Sequence, residues 1–314
     1  MRMPAVSGAF YPGRPDELRQ VIEQCFLDST FGPGGLPREK GKTVVGAIVP
    51  HAGYSYSGPV AAHAYKAIAE SGGAETYVIV GTNHTGYGLP VAISPDDWQM
   101  PFGTVHLDRE LANEIIKYSG VADFDRHAHF SEHSVEVQVP FIQYIHEILN
   151  LEQPKIVPIV LSVHGDIKLL RDLANGILEA SESLSRKIVV IGSSDLNHVG
   201  RFYGFYHKEK RSDEFGEYLD NMALSRILEL DSEGLISVAM RNSMTVCGIG
   251  AIVTVLEYSK KKNAKNAILL KYANSAQISG ERDICVGYAS VITNPSPRKS
   301  CISMRGWISM VENI

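Results

Sequence analysis

Three times along this chain a short apolar run rich in β-branched residues stops abruptly, and a histidine follows within a few positions. Val44-Val45-Gly46-Ala47-Ile48-Val49 gives way to Pro50-His51-Ala52-Gly53, and Tyr77-Val78-Ile79-Val80 runs into Gly81-Thr82-Asn83-His84. Ile188-Val189-Val190-Ile191 runs into Gly192-Ser193-Ser194-Asp195-Leu196-Asn197-His198. Runs of this length and composition read as buried strands that deliver polar side chains at their C-terminal ends. Between the first two, Pro59 to Glu70 has helical spacing in Val60, Ala61, Ala64, Tyr65 and Ile68, closed by Ser71-Gly72-Gly73. Strand, helix and strand over residues 43–81 predict a right-handed crossover between parallel neighbours. In open α/β sheets ligands bind beyond the carboxyl ends of the strands, so these histidines form a constellation.

The rest of the pattern fills in around them. A helix is predicted from about Pro15, with Leu18, Val21, Ile22, Cys25 and Phe26 on one apolar face. Asp28 to Lys42, rich in Gly and Pro, reads as a loop. Val91–Ile93 and Trp98–Val105 look like short peripheral strands, and Asp108–Ser119 like a helix. From Ser131, which resembles an N-cap, the chain is expected to form one helix perturbed near Pro140. A strand over Lys155–Leu161 and a helix over Ile167–Leu184 lead to the third histidine strand. Helices are then predicted over Glu214–Leu230, Glu233–Arg241 and Met244–Lys260, the last with Cys247 in its first turn, and closing strands over Ala267–Tyr272 and Ile284–Ile292. One domain is expected over residues 1–294. Residues 295–314 read as a tail with a short apolar segment, Ile302, Met304, Trp307, Ile308 and Val311.

Composition narrows the class. With 314 residues, 44% hydrophobic and 21% charged, the chain can bury a substantial core in the manner of a soluble globular protein. A formal net charge of −5 argues against a nucleic-acid partner. No apolar run is long enough for a transmembrane helix, and Met1 to Gly8 lacks the apolar core of a signal peptide. Cys25, Cys247, Cys285 and Cys301 are too scattered for a disulfide framework, and none forms the Cys-x-x-Cys of a zinc ribbon. The expected setting is reduced and cytoplasmic.

Each candidate for chemistry has a plain structural alternative. His51 or His84 alone would be a hydrogen-bonding loop residue, but from adjacent parallel strands the two would converge. Cys247 in the first turn of a helix would have a depressed thiol pKa, suited to metal binding or nucleophilic attack; the alternative is a small buried hydrophobe. Asp195 and His198, three apart, suit an acid–base pair, although Asp in such a turn also serves as its own backbone cap. His127-x-His129 has ligand-like spacing but falls in a polar loop expected to be exposed. His63, His106, His146, His164 and His207 have no evident partner. Two histidines with one thiolate or carboxylate would leave coordination positions open, the arrangement of a catalytic metal site.

Longer motifs now bear on the question. Ala9-x-Tyr11, Pro50-His51-Ala52-Gly53-Tyr54-x-Tyr56-x-Gly58, Ala61-Ala62-His63-Ala64-Tyr65, Glu132-His133-Ser134-x-Glu136, Ser193-Ser194-Asp195-x-x-His198 and Cys247-Gly248 resemble the Memo (mediator of cell motility) family, in order and over nearly the whole chain. That family is similar in fold to the class III, LigB-type extradiol dioxygenases. The resemblance implies a single α/β domain with a mixed, largely parallel β-sheet and helices on both faces. It also implies a metal held by His51, His84 and Cys247, with iron or copper expected and zinc possible. Asp195 and His198 match further pocket residues, with His198 where the dioxygenases keep an acid–base histidine, and His133 matches the pocket side. A thiolate in place of the dioxygenase carboxylate argues against ordinary ring cleavage. The implied function is metal-dependent redox activity on a small molecule. The alternatives are a non-catalytic module holding a small-molecule or peptide ligand in the same pocket, and a hydrolase with Cys247 as nucleophile. Neither a nucleic acid nor a membrane is an expected partner.

Overall fold

Alternation along the central strands sets the layers. The computed structural model describes residues 1–38, 41 and 43–294. The chain opens with α1 (Pro15–Leu27), β1 (Gly46–Val49), α2 (Tyr54–Glu70) and β2 (Thr76–Thr82). It continues through β3 (Val91–Ile93), β4 (Trp98–Met100), β5 (Gly103–Leu107), α3 (Arg109–Ser119), β6 (Asp123–Phe124), α4 (Val139–Ile148) and β7 (Lys155–Leu161). Then come α5 (Ile167–Ser183), β8 (Ile188–Ser193), β9 (His198–Gly200), α6 (Ser212–Leu228), α7 (Ser232–Arg241) and α8 (Ile249–Lys261). The hairpin β10 (Ala267–Asn274) and β11 (Ile284–Thr293), with a one-turn α9 (Ser275–Ser279) between them, completes the order. The expected tail from residue 295 lies outside the described residues.

Successive β2 side chains enter opposite cores. Tyr77 and Ile79 pack with α1, α2 and α4, while Val78 and Val80 pack with α3, α5, α6, α7 and α8. Helices therefore cover both faces, and β2 is buried along its whole length, as expected of a sandwiched parallel strand. The sheet is mixed, with the order β10-β11-β1-β8-β2-β7-β3-β6. Its centre, β1-β8-β2-β7, is parallel throughout. Antiparallel pairs stand on either side, β11 against β1 and β3 against β7.

Several expectations need correction. Strands β1 and β2 are parallel but not neighbours, because β8 lies between them and pairs with both. Local pattern identifies strands but not which later strand inserts. Helix α2 starts at Tyr54, ahead of Pro59, since Gly53 accepts from the backbone N–H of both Tyr56 and Ser57. Pro59 is tolerated this early because the carbonyl it leaves unbonded belongs to exposed Ser55. Ser131 caps nothing. A 3-10 turn at Glu136–Gln138 precedes α4, which takes Pro140 into its first turn, where no N–H is needed. Cys247 stands outside α8, which is N-capped by Gly248. Of the His127/His129 pair only His127 is exposed. His129 is buried and its Nε2 faces the Ala92 carbonyl at 3.0 Å.

Candidate metal centre

The parallel centre of the sheet brings the ends of β1, β8 and β2 to one edge in that order. His51 follows β1, Ser193 ends β8, and His84 follows β2. Cys247 reaches the same edge from the segment leading into α8. Gly248 makes this approach possible, because a Cβ there would collide with Ser194. Cys247 Sγ lies 3.2 Å from His51 Nε2. One donor atom from each of His51, His84 and Cys247 falls within 4.8 Å of the others. The imidazoles of His51 and His84 meet edge to face, with centroids 5.2 Å apart.

Hydrogen bonds decide which nitrogen each imidazole presents. The Ser193 hydroxyl donates its one proton to the Ser134 carbonyl at 2.5 Å and accepts from Gln138 Nε2 at 2.8 Å. His51 Nδ1, 3.1 Å from the same oxygen, must therefore donate, which leaves Nε2 with a free lone pair toward Cys247. His84 Nδ1 faces Glu132 Oε1 at 3.0 Å, so its proton also sits on Nδ1 and Nε2 is free. A carboxylate behind a ligating imidazole is the usual support of a metal-binding histidine.

Glu132 was part of the sequence motif but carried no assigned role. Its Oε1 also accepts from the backbone N–H of His133 and Ser134, each at 2.8 Å, and Oε2 accepts from His84 N at 2.5 Å. Burial would push this carboxyl up, but His84 and these N–H groups outweigh burial and hold it down at about 2. His84, Glu132 and His133 form a second group of close ligand atoms. With its oxygens engaged in these bonds, Glu132 serves there as support for the histidines.

Burial, then the neighbouring His84, pushes His51 down to about 3. Burial, then His51, pushes His133 down to about 4, and the His133 ring stacks on His84 with centroids 4.7 Å apart. Both are neutral imidazoles at ordinary pH, as metal ligation requires. The side chains of His84 and His133 keep 34% and 23% of their surface, so the cleft opens on their side. Burial, then the neighbouring His84, pushes the His164 imidazole down.

Two expectations about this cleft are overturned in detail. The Cys247 thiol is pushed up, by burial and then by Asp195, because its sulfur sits beside a carboxylate and ahead of the helix. Without a cation its proton points at His51 Nε2 or the Asp195 carbonyl, the latter 3.6 Å away. Asp195 makes no hydrogen bond to His198. Its Oδ1 accepts from the backbone N–H of His51 and Ala52 at 2.7 and 3.3 Å, shaping the turn after β1. Burial pushes that carboxyl up, with His198 and the two N–H groups opposing. Thr245 is what holds His198. Its hydroxyl accepts from His198 N at 2.8 Å, and its carbonyl faces His198 Nδ1 at 3.2 Å. Ser193 stood in a sequence motif without an assigned role, and Thr245 did not stand out, because a lone hydroxyl has no distinguishing spacing.

Among the described residues no helix is long and apolar enough to cross a membrane. The family model for Memo-like proteins matches residues 2–292. A MEMO1 family protein of Desulfurococcus amylolyticus is 45% identical over 294 residues, covering 92% of this chain and 98% of the relative. MEMO1 family proteins of Pyrococcus horikoshii and Methanopyrus kandleri are 42% and 40% identical, each covering 93% of this chain and 98% of the relative. A match of this extent, running through every segment that builds the cleft, places the chain in the Memo family.

Proposed function

We propose that this chain is a metal-binding protein in which His51, His84 and Cys247 hold iron or copper, and that it performs metal-dependent redox chemistry on a small molecule. The observation that carries the reading is the convergence of three donor atoms within 4.8 Å, with a free Nε2 lone pair on each histidine. The donor chemistry fits. Two imidazoles and a thiolate suit iron, copper or zinc, and a cation displaces a thiol proton even where the surroundings favour it. Iron or copper held there would supply electron transfer to or from a small molecule, which zinc would not. His198 contributes proton transfer: with Nδ1 donating to Thr245, its Nε2 is left to accept a proton. His133, neutral and partly exposed beside His84, orients what enters the cleft.

A second reading, a non-catalytic module that holds a peptide or other ligand, is favoured by exposed aromatic side chains near the cleft residues in sequence. Tyr87, Phe130 and Phe202 are 70–80% exposed. Metal content of anaerobically purified protein tests the first reading, with wild type beside Cys247→Ser and His51→Ala. Near-stoichiometric iron or copper in wild type and a loss of most of it in both folded variants is the expected result. Undiminished metal in the variants would sink the ligand assignment. Wild type that stays empty after reconstitution would leave the binding module.

A further inference from the structure

Asn197, the residue before His198, is held by a carboxylate without an evident task. Asp220, in the middle of α6, is fully buried. Its Oδ1 accepts from both the backbone N–H and the side-chain Nδ2 of Asn197, at 2.9 and 2.7 Å. Its Oδ2 accepts from the Tyr272 hydroxyl of β10 at 2.8 Å. Gly287 of β11 packs so closely on this carboxylate that no Cβ fits there. Helix α6, strands β10 and β11 and the loop before β9 thus meet at a group that no substrate can touch.

The consequence runs through Asn197. An amide has one donating and one accepting end, and Asp220 occupies the donating end. The Asn197 oxygen is thereby turned away, and it accepts from the Thr245 N–H at 2.9 Å. Thr245 is then fixed on both sides. Its hydroxyl accepts from His198 N and donates to His198 O, each at 2.8 Å, and its carbonyl meets His198 Nδ1. A carbonyl can only accept, so while it faces Nδ1 the imidazole carries its proton there. Thr245 also lies two residues before Cys247, so the same clamp holds the segment that delivers the thiol. With an apolar residue at 220, the Asn197 amide could flip and set its NH2 against the Thr245 N–H, and the clamp would open.

We propose that Asp220 is a positioning residue for the cleft: through Asn197 it fixes Thr245, and so keeps His198 in the Nδ1–H form with Nε2 free. The proposal rests on the reading of His198 as the proton-transfer group. What Asp220 supplies is acceptors more than charge. Burial pushes its carboxyl up to about 7 against the opposing Asn197 groups. An amide oxygen can accept the same Asn197 bonds while its NH2 donates to Tyr272.

The test is the tautomer of His198 in the full chain labelled with 15N-histidine, read from ring-nitrogen shifts in metal-free protein at mildly alkaline pH. The His198 signals are assigned by their loss in His198→Asn. Wild type and Asp220→Asn are expected to show the Nδ1–H form alone. Asp220→Ala is expected to lose that single-tautomer pattern and show both forms. Folded Asp220→Ala with wild-type His198 signals overturns the proposal. If Asp220→Ala does not fold, the milder Asn197→Ser is read in the same way: a mixture supports the relay and an unchanged spectrum overturns it. Because the spectrum needs neither metal nor activity, a cleft that never takes metal would end the functional reading and leave this result standing.

Discussion

Glu132 offers four hydrogen-bond acceptances to three residues, and two of those involve His84. Replacing it by Gln keeps the shape but sets an NH2 against a donor that needs an acceptor. Glu132→Gln is therefore expected to weaken metal binding by about 10–100-fold, the usual effect of losing a ligand's supporting carboxylate. Competition against a chelator measures this, with circular dichroism to show the fold retained. Binding at wild-type strength would mean that His84 needs no orientation. His51, His84 and Cys247 could be singled out from sequence because strand-end and motif positions mark them. Glu132 could not be assigned a task in the same way. Its partner His84 lies 48 positions away, and no spacing rule says which carboxylate will stand behind which imidazole.

At the scale of elements, the start of α3 is tied to a strand that leads into the site. Asp108 caps α3 by accepting from Leu111 N at 3.2 Å and accepts from the Thr76 hydroxyl of β2 at 2.6 Å, tying a helix to the start of a site-bearing strand. Asp108→Ala removes a cap and a buried hydrogen bond, each worth about 1 kcal/mol, together with a 3.3 Å ion pair to Arg186, so a loss of at least about 2 kcal/mol is expected. Urea unfolding gives the figure, and a change within error would mean that water replaces both bonds. Most helices and strands were legible as periodic runs, α5 and β7 to within a residue. Three features were not. The insertion of β8 between β1 and β2 is a long-range choice. The start of α8 beyond Cys247 depends on the close approach of Gly248 to Ser194. The Ser131–Gln138 segment is irregular, with the Glu132 side chain taking the His133 and Ser134 N–H groups that a Ser131 cap would have taken.

For the molecule as a whole, the buried histidines set the acid limit. His129, which is in neither group of close ligand atoms, is pushed from 6.5 to about 4 by burial first, against its bond to Ala92. A group with a depressed folded pKa binds fewer protons folded than unfolded. Its stability is intact above the unfolded value and is lost as pH falls from 6.5 toward 4. For His129 alone this comes to on the order of 3 kcal/mol at pH 4, at about 1.4 kcal/mol per pKa unit. The urea midpoint of the metal-free protein is expected to fall steeply across that window. His129→Gln, which can still donate to Ala92, should flatten the fall, and an identical pH profile in the variant would remove His129 as a cause.

The position of β1, between β8 and β11, has a consequence for how the protein is made. Both neighbours come from the later part of the chain, and Cys247 follows His51 by 196 positions. At synthesis rates of roughly 5–20 residues per second, about 10–40 s separate the two donors at the ribosome. Until β8 has emerged, β1 has neither of its hydrogen-bonding partners, and unpaired strand edges are where nascent chains stick to one another. The first histidine must wait in an unfinished sheet, so a metal held as proposed would be loaded only once the chain has reached Cys247.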